Sequence, residues 1–229
     1  MRIAENLKIV RERIEKAALR ARRDSEEIRL VAVTKEVEAE RIIEAARCGV
    51  DTFGENYAQE LRDKYDIVKK ALERKINWHF IGRLQRNKVK YLLDKVELIH
   101  SLDNLSVAEE INKRAERLGV KVPVLIEVNI GEEEAKGGVK LGHVESFLAE
   151  LRRFPVIDVR GFMTMPPFFD DPEMARPYFR QLRELRDELR DKFPNLRELS
   201  MGMSGDFEVA IEEGATIVRI GTAIFGPRV

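Results

Sequence analysis

Short apolar runs alternate with helix-period segments along these 229 residues, with no composition break between them, and that alternation leaves few folds open. A first amphipathic helix is expected over 5–22, with Leu7, Val10, Ile14 and Ala17 at helical spacing. Strands are then expected over 28–35, 50–53, 77–81, 97–101, 122–130, 157–163, 196–200 and 215–220. Helices are expected between them over 38–48, 57–72, 86–93, 105–118 and 141–151, along the stripe Tyr178, Leu182, Leu185 and Leu189, and over 206–213. Gly119 stands where a left-handed cap ends the helix before it. Strands joined by helices predict parallel pairing, so the expected fold is α/β, a single (β/α)8 TIM barrel with an extra N-terminal helix, and 1–229 as one domain. An open doubly wound sheet is the alternative; the even spacing favours the barrel.

Charge narrows the function classes. Lys plus Arg and Asp plus Glu both number 41, so no net field exists to hold nucleic acid or an anionic membrane. A single cysteine, Cys48, excludes an internal disulfide and suits a reducing compartment. No apolar run is long enough for a signal sequence or a membrane span, so a cytoplasmic location is expected. Charged residues at 36% exceed the usual quarter and point to ion-pair networks of the kind found in heat-stable proteins. His79, His100 and His143 lack ligand spacing, so no metal site is expected, and His79 beside Trp78 reads as a packed core residue. Arg86, Lys88 and Lys90 read as a solvated basic face.

In a barrel, chemistry belongs to the carboxyl ends of the strands. Lys35 closes the first apolar run. There its stem is desolvated, which favours the neutral amine and makes it a nucleophile toward carbonyls, although a strand-end lysine can also snorkel to water. The loops after the last two strands carry Gly202, Ser204 and Gly205, and Gly221, Thr222 and Gly226. Glycine admits close approach of backbone N–H groups to an anion, and each loop adds a hydroxyl and leads into a helical turn. Barrel closure sets this phosphate cup beside the first strand. A lysine next to a phosphate cup suits pyridoxal phosphate (PLP). The loop over 131–138 is polar and glycine-rich and is expected to be mobile, while Pro166 to Phe169 form either a lid or a plug.

Five segments in order then carry a resemblance: Leu30-Val31-Ala32-Val33-Thr34-Lys35; Phe53-Gly54-Glu55-Asn56-Tyr57; Trp78-His79-Phe80-Ile81-Gly82 with Leu84-Gln85-Arg86-Asn87-Lys88; Leu199-Ser200-Met201-Gly202-Met203-Ser204; and Val218-Arg219-Ile220-Gly221-Thr222-Ala223-Ile224-Phe225-Gly226. Over essentially the whole chain the sequence resembles the pyridoxal phosphate homeostasis family, barrel proteins similar to the N-terminal domain of alanine racemase. The resemblance implies Lys35 as the Schiff-base lysine, and Ser204, Gly221 and Thr222 as phosphate ligands, with Gly205 beside them. It implies Arg219 facing the pyridine nitrogen and Asn56 as a ring contact. Ala135 departs from a frequent serine of the family.

It further implies a protein that holds PLP and buffers or delivers it inside the cell without established catalysis, with no catalytic residue assigned. The expected partners are PLP and apo forms of PLP-dependent enzymes, with no nucleic acid or membrane, and the chain acting as a monomer. The alternatives are a PLP-dependent amino-acid racemase or lyase, and a barrel isomerase or aldolase in which Lys35 meets a phosphosugar directly. Negligible racemisation is expected, for two reasons. A guanidinium at position 219 only donates, so the pyridine nitrogen stays neutral and the ring is a weak electron sink. A second proton-transfer group is also lacking: Tyr57, Tyr65, Tyr91 and Tyr178 fall on helices or helix starts, and the chain stops at Val229 without a C-terminal β domain.

Overall fold

The structure, a computed structural model, describes residues 2–131 and 137–227. Its strands are β1 (Arg29–Val33), β2 (Thr52–Glu55), β3 (Asn77–Phe80), β4 (Leu98–Leu102), β5 (Val122–Asn129), β6 (Val139–Lys140), β7 (Ile157–Met163), β8 (Glu198–Ser200) and β9 (Ile217–Ile220). They pair in parallel in the order β4-β3-β2-β1-β9-β8-β7-β5-β6, and a further β4–β5 pairing closes eight of them into a barrel. The two-residue β6 is an added rung on the end of β5, through Val128 and Asn129. The expected TIM barrel is what forms.

The helices are α1 (Ile3–Arg20), α2 (Ala39–Arg47), α3 (Ala58–Ala71), α4 (Leu105–Leu118), α5 (Val144–Leu151), α6 (Arg176–Leu189), α7 (Phe207–Glu212) and α8 (Thr222–Phe225). α4 ends as expected, with Gly119 left-handed at φ +67°. Three helical expectations need correction. The 86–93 segment is a 3-10 helix, Arg86–Tyr91, which buries only Val89 and so has no apolar stripe to hold an α-helix down. The 141–151 segment opens as a 3-10 turn, Leu141–His143, where Gly142 lowers α propensity, before α5 begins. On α6 the fully buried face is Phe179, Leu182 and Leu189; Tyr178 and Leu185 are only partly covered.

Two apolar layers result. The larger lies between the sheet and the helices and includes Phe53, Trp78, Leu61, Phe162 and Phe207. The smaller fills the barrel interior: Val31, Leu98, Leu125, Met163 and Ile217, each at most 4% exposed. Strand side chains repeat every two residues, so one step further on β4, β5 and β9 places His100, Glu127 and Arg219 on the same inner face, nearer the carboxyl ends. The barrel is thus sealed by hydrocarbon below and lined by polar groups above.

The expected ion pairs are concentrated where α1, α6 and α7 meet. Arg20 bridges Glu208 and Glu212, and Arg176 joins Glu212 and Glu213. Glu213, 4% exposed, also pairs with Arg180 and Arg183. No helix among the described residues is long and apolar enough to cross a membrane.

Candidate functional site

The β8 and β9 loops converge at the carboxyl end of the barrel. Gly202 leaves β8 at φ +92°, and a Cβ there would lie 2.6 Å from the Ala210 Cβ, so this turn onto α7 requires glycine. Met203 N–H donates to Asp206 Oδ1 at 2.6 Å, which closes the loop. Ser204 Oγ accepts from Ala223 N–H at 3.3 Å and stitches the β8 loop to the start of α8. Gly221 caps α8, and a Cβ on it would stand 3.3 Å from Val33 Cβ, inside the space between β9 and β1.

A cavity of about 540 Å³ opens there, and Ser204, Gly205, Arg219, Gly221 and Thr222 all line it. Five sequence-predicted residues therefore meet in one place. The cavity's outer wall includes the 166–169 loop. Phe169 is anchored against Tyr178, with ring centroids 5.7 Å apart, while Phe168 is 89% exposed at the mouth.

Lys35 and Asn56 do not line this cavity; the wall beside β1 is Val33. The expected strand ran to Lys35, but β1 ends at Val33 because the chain turns: Thr34 O accepts from Val37 N–H at 3.0 Å. Glu36 completes that turn in the left-handed region at φ +59°. Lys35 is half-buried at the same rim, with Nζ 5.4 Å from the centre of the Tyr57 ring. Tyr57, the residue preceding α3, also lies two positions beyond β2, so one tyrosine does stand at a strand's carboxyl end. Asn56 Oδ1 is buried without a hydrogen-bond partner among the described residues.

Arg219 is 4% exposed. Its guanidinium donates to Ser200 Oγ at 2.5 Å and to Thr164 O at 3.0 Å, both neutral acceptors. Burial pushes it down to about 10, with Glu127 and Asp206 opposing, so it remains a cation at neutral pH. Behind it runs a file of buried groups that the sequence did not reveal. His100 Nδ1 lies 2.9 Å from Ser200 Oγ, and its Nε2 lies 2.9 Å from Nδ1 of His79. Burial holds both imidazoles neutral: His79 falls to about 3, and His100 lies well below its usual value, with His79 and Arg219 adding to the effect. In such a neutral pair one ring donates and the other accepts. His79 is packed, as expected, but by a polar partner. Among the described residues no three His, Cys, Asp or Glu side chains form a metal cluster.

Glu127 is the other group missed from the sequence. It is 8% exposed and lines the cavity. Burial raises its carboxyl from an ordinary 4.5 to about 7, the Asp103 charge adds to this, and Arg219 and Arg83 oppose it. The folded state therefore holds this proton more tightly than the unfolded chain does. The associated stability is complete below the unfolded value and is lost as pH rises through about 7. Glu127→Gln is expected to remove the loss that accrues between pH 4.5 and about 7 in the ligand-free protein, up to about 3 kcal/mol. Urea unfolding of both proteins across the range from 4.5 to about 7 checks it; an unchanged slope over that range in Glu127→Gln would place the titration elsewhere.

The sequence profile of the alanine racemase N-terminal domain matches residues 2–229. The pyridoxal phosphate homeostasis protein of Aquifex aeolicus is 52% identical over 229 residues, covering 100% of this chain and 99% of that protein. The protein of the same name from Escherichia coli K12 is 39% identical over 228 residues, 99% of this chain and 97% of its own length. PipY of Synechococcus elongatus PCC7942, solved with PLP bound, superposes with a TM-score of 0.83 at 31% identity, covering 98% of this chain and 100% of that one.

Proposed function

The chain belongs to the alanine racemase N-terminal-domain family, among its pyridoxal phosphate homeostasis proteins, and from that premise we propose that it holds PLP reversibly and buffers or delivers it to apo-enzymes, without turnover of its own. The observation that carries this reading is the convergence of Ser204, Gly205, Gly221, Thr222 and Arg219 on one cavity at the carboxyl end of the barrel, the end at which Lys35 follows β1. When bound, the cofactor supplies a phosphate anion, a pyridine nitrogen and an aldehyde that condenses with a lysine amine, releasing one water.

The residues present fit those three demands. Ser204 Oγ already accepts from Ala223 N–H, so its own hydrogen is available to an anion between the two loops. Gly205 and Gly221 leave room for backbone N–H groups to approach. Arg219, a cation that only donates, suits an unprotonated ring nitrogen. Asn56 Oδ1, buried and without a partner among the described residues, is a polar atom awaiting a donor. Lys35 would hold the cofactor covalently. Because Arg219 offers no proton acceptor to the ring, the site favours retention over carbanion chemistry.

The test is transfer. Protein loaded with PLP and purified from free cofactor is mixed with an apo-enzyme that becomes active on binding PLP. Recovery of that activity in step with loss of the bound cofactor is the expected result. Failure to bind PLP stoichiometrically, or failure of an apo-enzyme to withdraw it, would overturn the reading.

A further inference from the structure

Lys64 lies on α3, four residues after Glu60, in the spacing of an ordinary surface ion pair. The structure puts it elsewhere. Its side chain is only 14% exposed, and its three ammonium hydrogens meet three acceptors: Thr34 O at 2.9 Å, Glu55 Oε2 at 3.1 Å and Glu60 Oε2 at 2.6 Å. Each acceptor leads back to the turn that carries Lys35. Thr34 precedes Lys35, and its hydroxyl lies 3.0 Å from the same Glu55 oxygen. Glu60 Oε2 accepts from the N–H of Glu36, the residue after Lys35, at 3.1 Å. Glu55 Oε1 accepts from Asn56 N–H at 2.9 Å, so the same cluster also fixes the chain at Asn56.

The arrangement has a physical purpose. Glu36 holds a left-handed φ of +59°, a backbone state that non-glycine residues adopt only when their surroundings impose it. Glu55 is fully buried, and burial raises its carboxyl despite the neighbouring Lys64 charge. A buried carboxylate without its cation would protonate or draw in water, and the turn it anchors would loosen. We propose that Lys64 is a positioning residue for Lys35: by holding the Thr34 carbonyl directly and the Glu36 N–H through Glu60, it fixes the turn from which the Lys35 amine projects. This rests on the reading of Lys35 as the residue that captures the cofactor.

The experiment compares the full-length wild-type chain with Lys64→Gln, Lys64→Arg, Glu60→Gln and Lys35→Ala. Three quantities are measured on ligand-free protein: the melting temperature, the rate at which visible absorbance grows on rapid mixing with PLP, and the affinity for pyridoxine 5′-phosphate, which keeps ring and phosphate but has an alcohol in place of the aldehyde. Misplacing the amine should slow capture between about ten- and a hundredfold in Lys64→Gln and Glu60→Gln. Pyridoxine 5′-phosphate affinity should be unchanged, and Lys64→Arg should recover most of the rate. Should Lys64→Gln fail to fold, Glu60→Gln decides the matter, since the Glu60 side chain is 29% exposed and its loss leaves Lys64 paired with Glu55. Unchanged capture in the folded variants overturns the proposal, as does a parallel fall in capture, pyridoxine 5′-phosphate affinity and melting temperature. Visible absorbance surviving in Lys35→Ala would instead refute the underlying assignment of Lys35.

Discussion

Replacing Lys35 with alanine is expected to abolish the visible absorbance of the PLP-loaded protein while leaving the barrel folded. The two consequences separate because they depend on different parts of the molecule. Lys35 lies beyond the end of β1, half-buried, and is absent from both apolar clusters, so its truncation opens no cavity in the core. The turn around it is held by Thr34, Glu36 and Lys64, none of which bonds through the Lys35 side chain. The loops after β8 and β9, proposed to hold the phosphate, are untouched. The variant should therefore still bind PLP, but noncovalently, and lose it readily on dialysis. Borohydride treatment of the wild type, followed by peptide mapping, should place the label on Lys35. A label on Lys136, which lies outside the described residues, would move the covalent site into the 131–138 loop.

The second large effect is expected from Ser204→Ala combined with Thr222→Ala. Each hydroxyl should contribute one hydrogen bond to a doubly charged group, and each such bond is typically worth about 1.5–3 kcal/mol. Two independent losses would then weaken retention by roughly 10²- to 10⁴-fold. The lower end is the better expectation, because Thr222 is exposed and its bond competes with water. Ser204 carries a second duty, since its oxygen accepts from Ala223 N–H and ties the two loops together. Ser204→Ala alone should consequently cost more than Thr222→Ala alone. Visible absorbance at saturating PLP should persist in the double variant, because Lys35 is unaltered. Equilibrium dialysis gives the retention and the absorbance spectrum gives the chemistry; unchanged affinity in the double variant would place the phosphate elsewhere.

Most strand ends, though not that of β1, and with them the β8 and β9 loops that line the cavity, were legible because they depend on local chemistry. Gly202, Ser204, Gly221 and Thr222 sit in short polar interruptions that directly follow apolar runs, and a barrel places all such interruptions on one rim. Glu127 left a fainter trace, an acid inside the otherwise apolar run over 122–130, which alternation alone could assign to either face. Lys64 left a misleading one. Its spacing from Glu60 is that of a solvated helix pair, and only the packing of α3 against the ends of β1 and β2 turns it inward.

The file behind Arg219 left no trace. His79 is 21 residues from His100, His100 is 100 from Ser200, and Ser200 is 19 from Arg219. What the sequence by itself determined is the alternation of elements, which favours a barrel over an open sheet, and the residue types at the strand ends, because side-chain period and turn chemistry act over a few neighbours. What only the tertiary structure decided is which inward residues share a layer. That depends on strand register and on the β4–β5 closure, relations between segments far apart in the chain that no local pattern encodes.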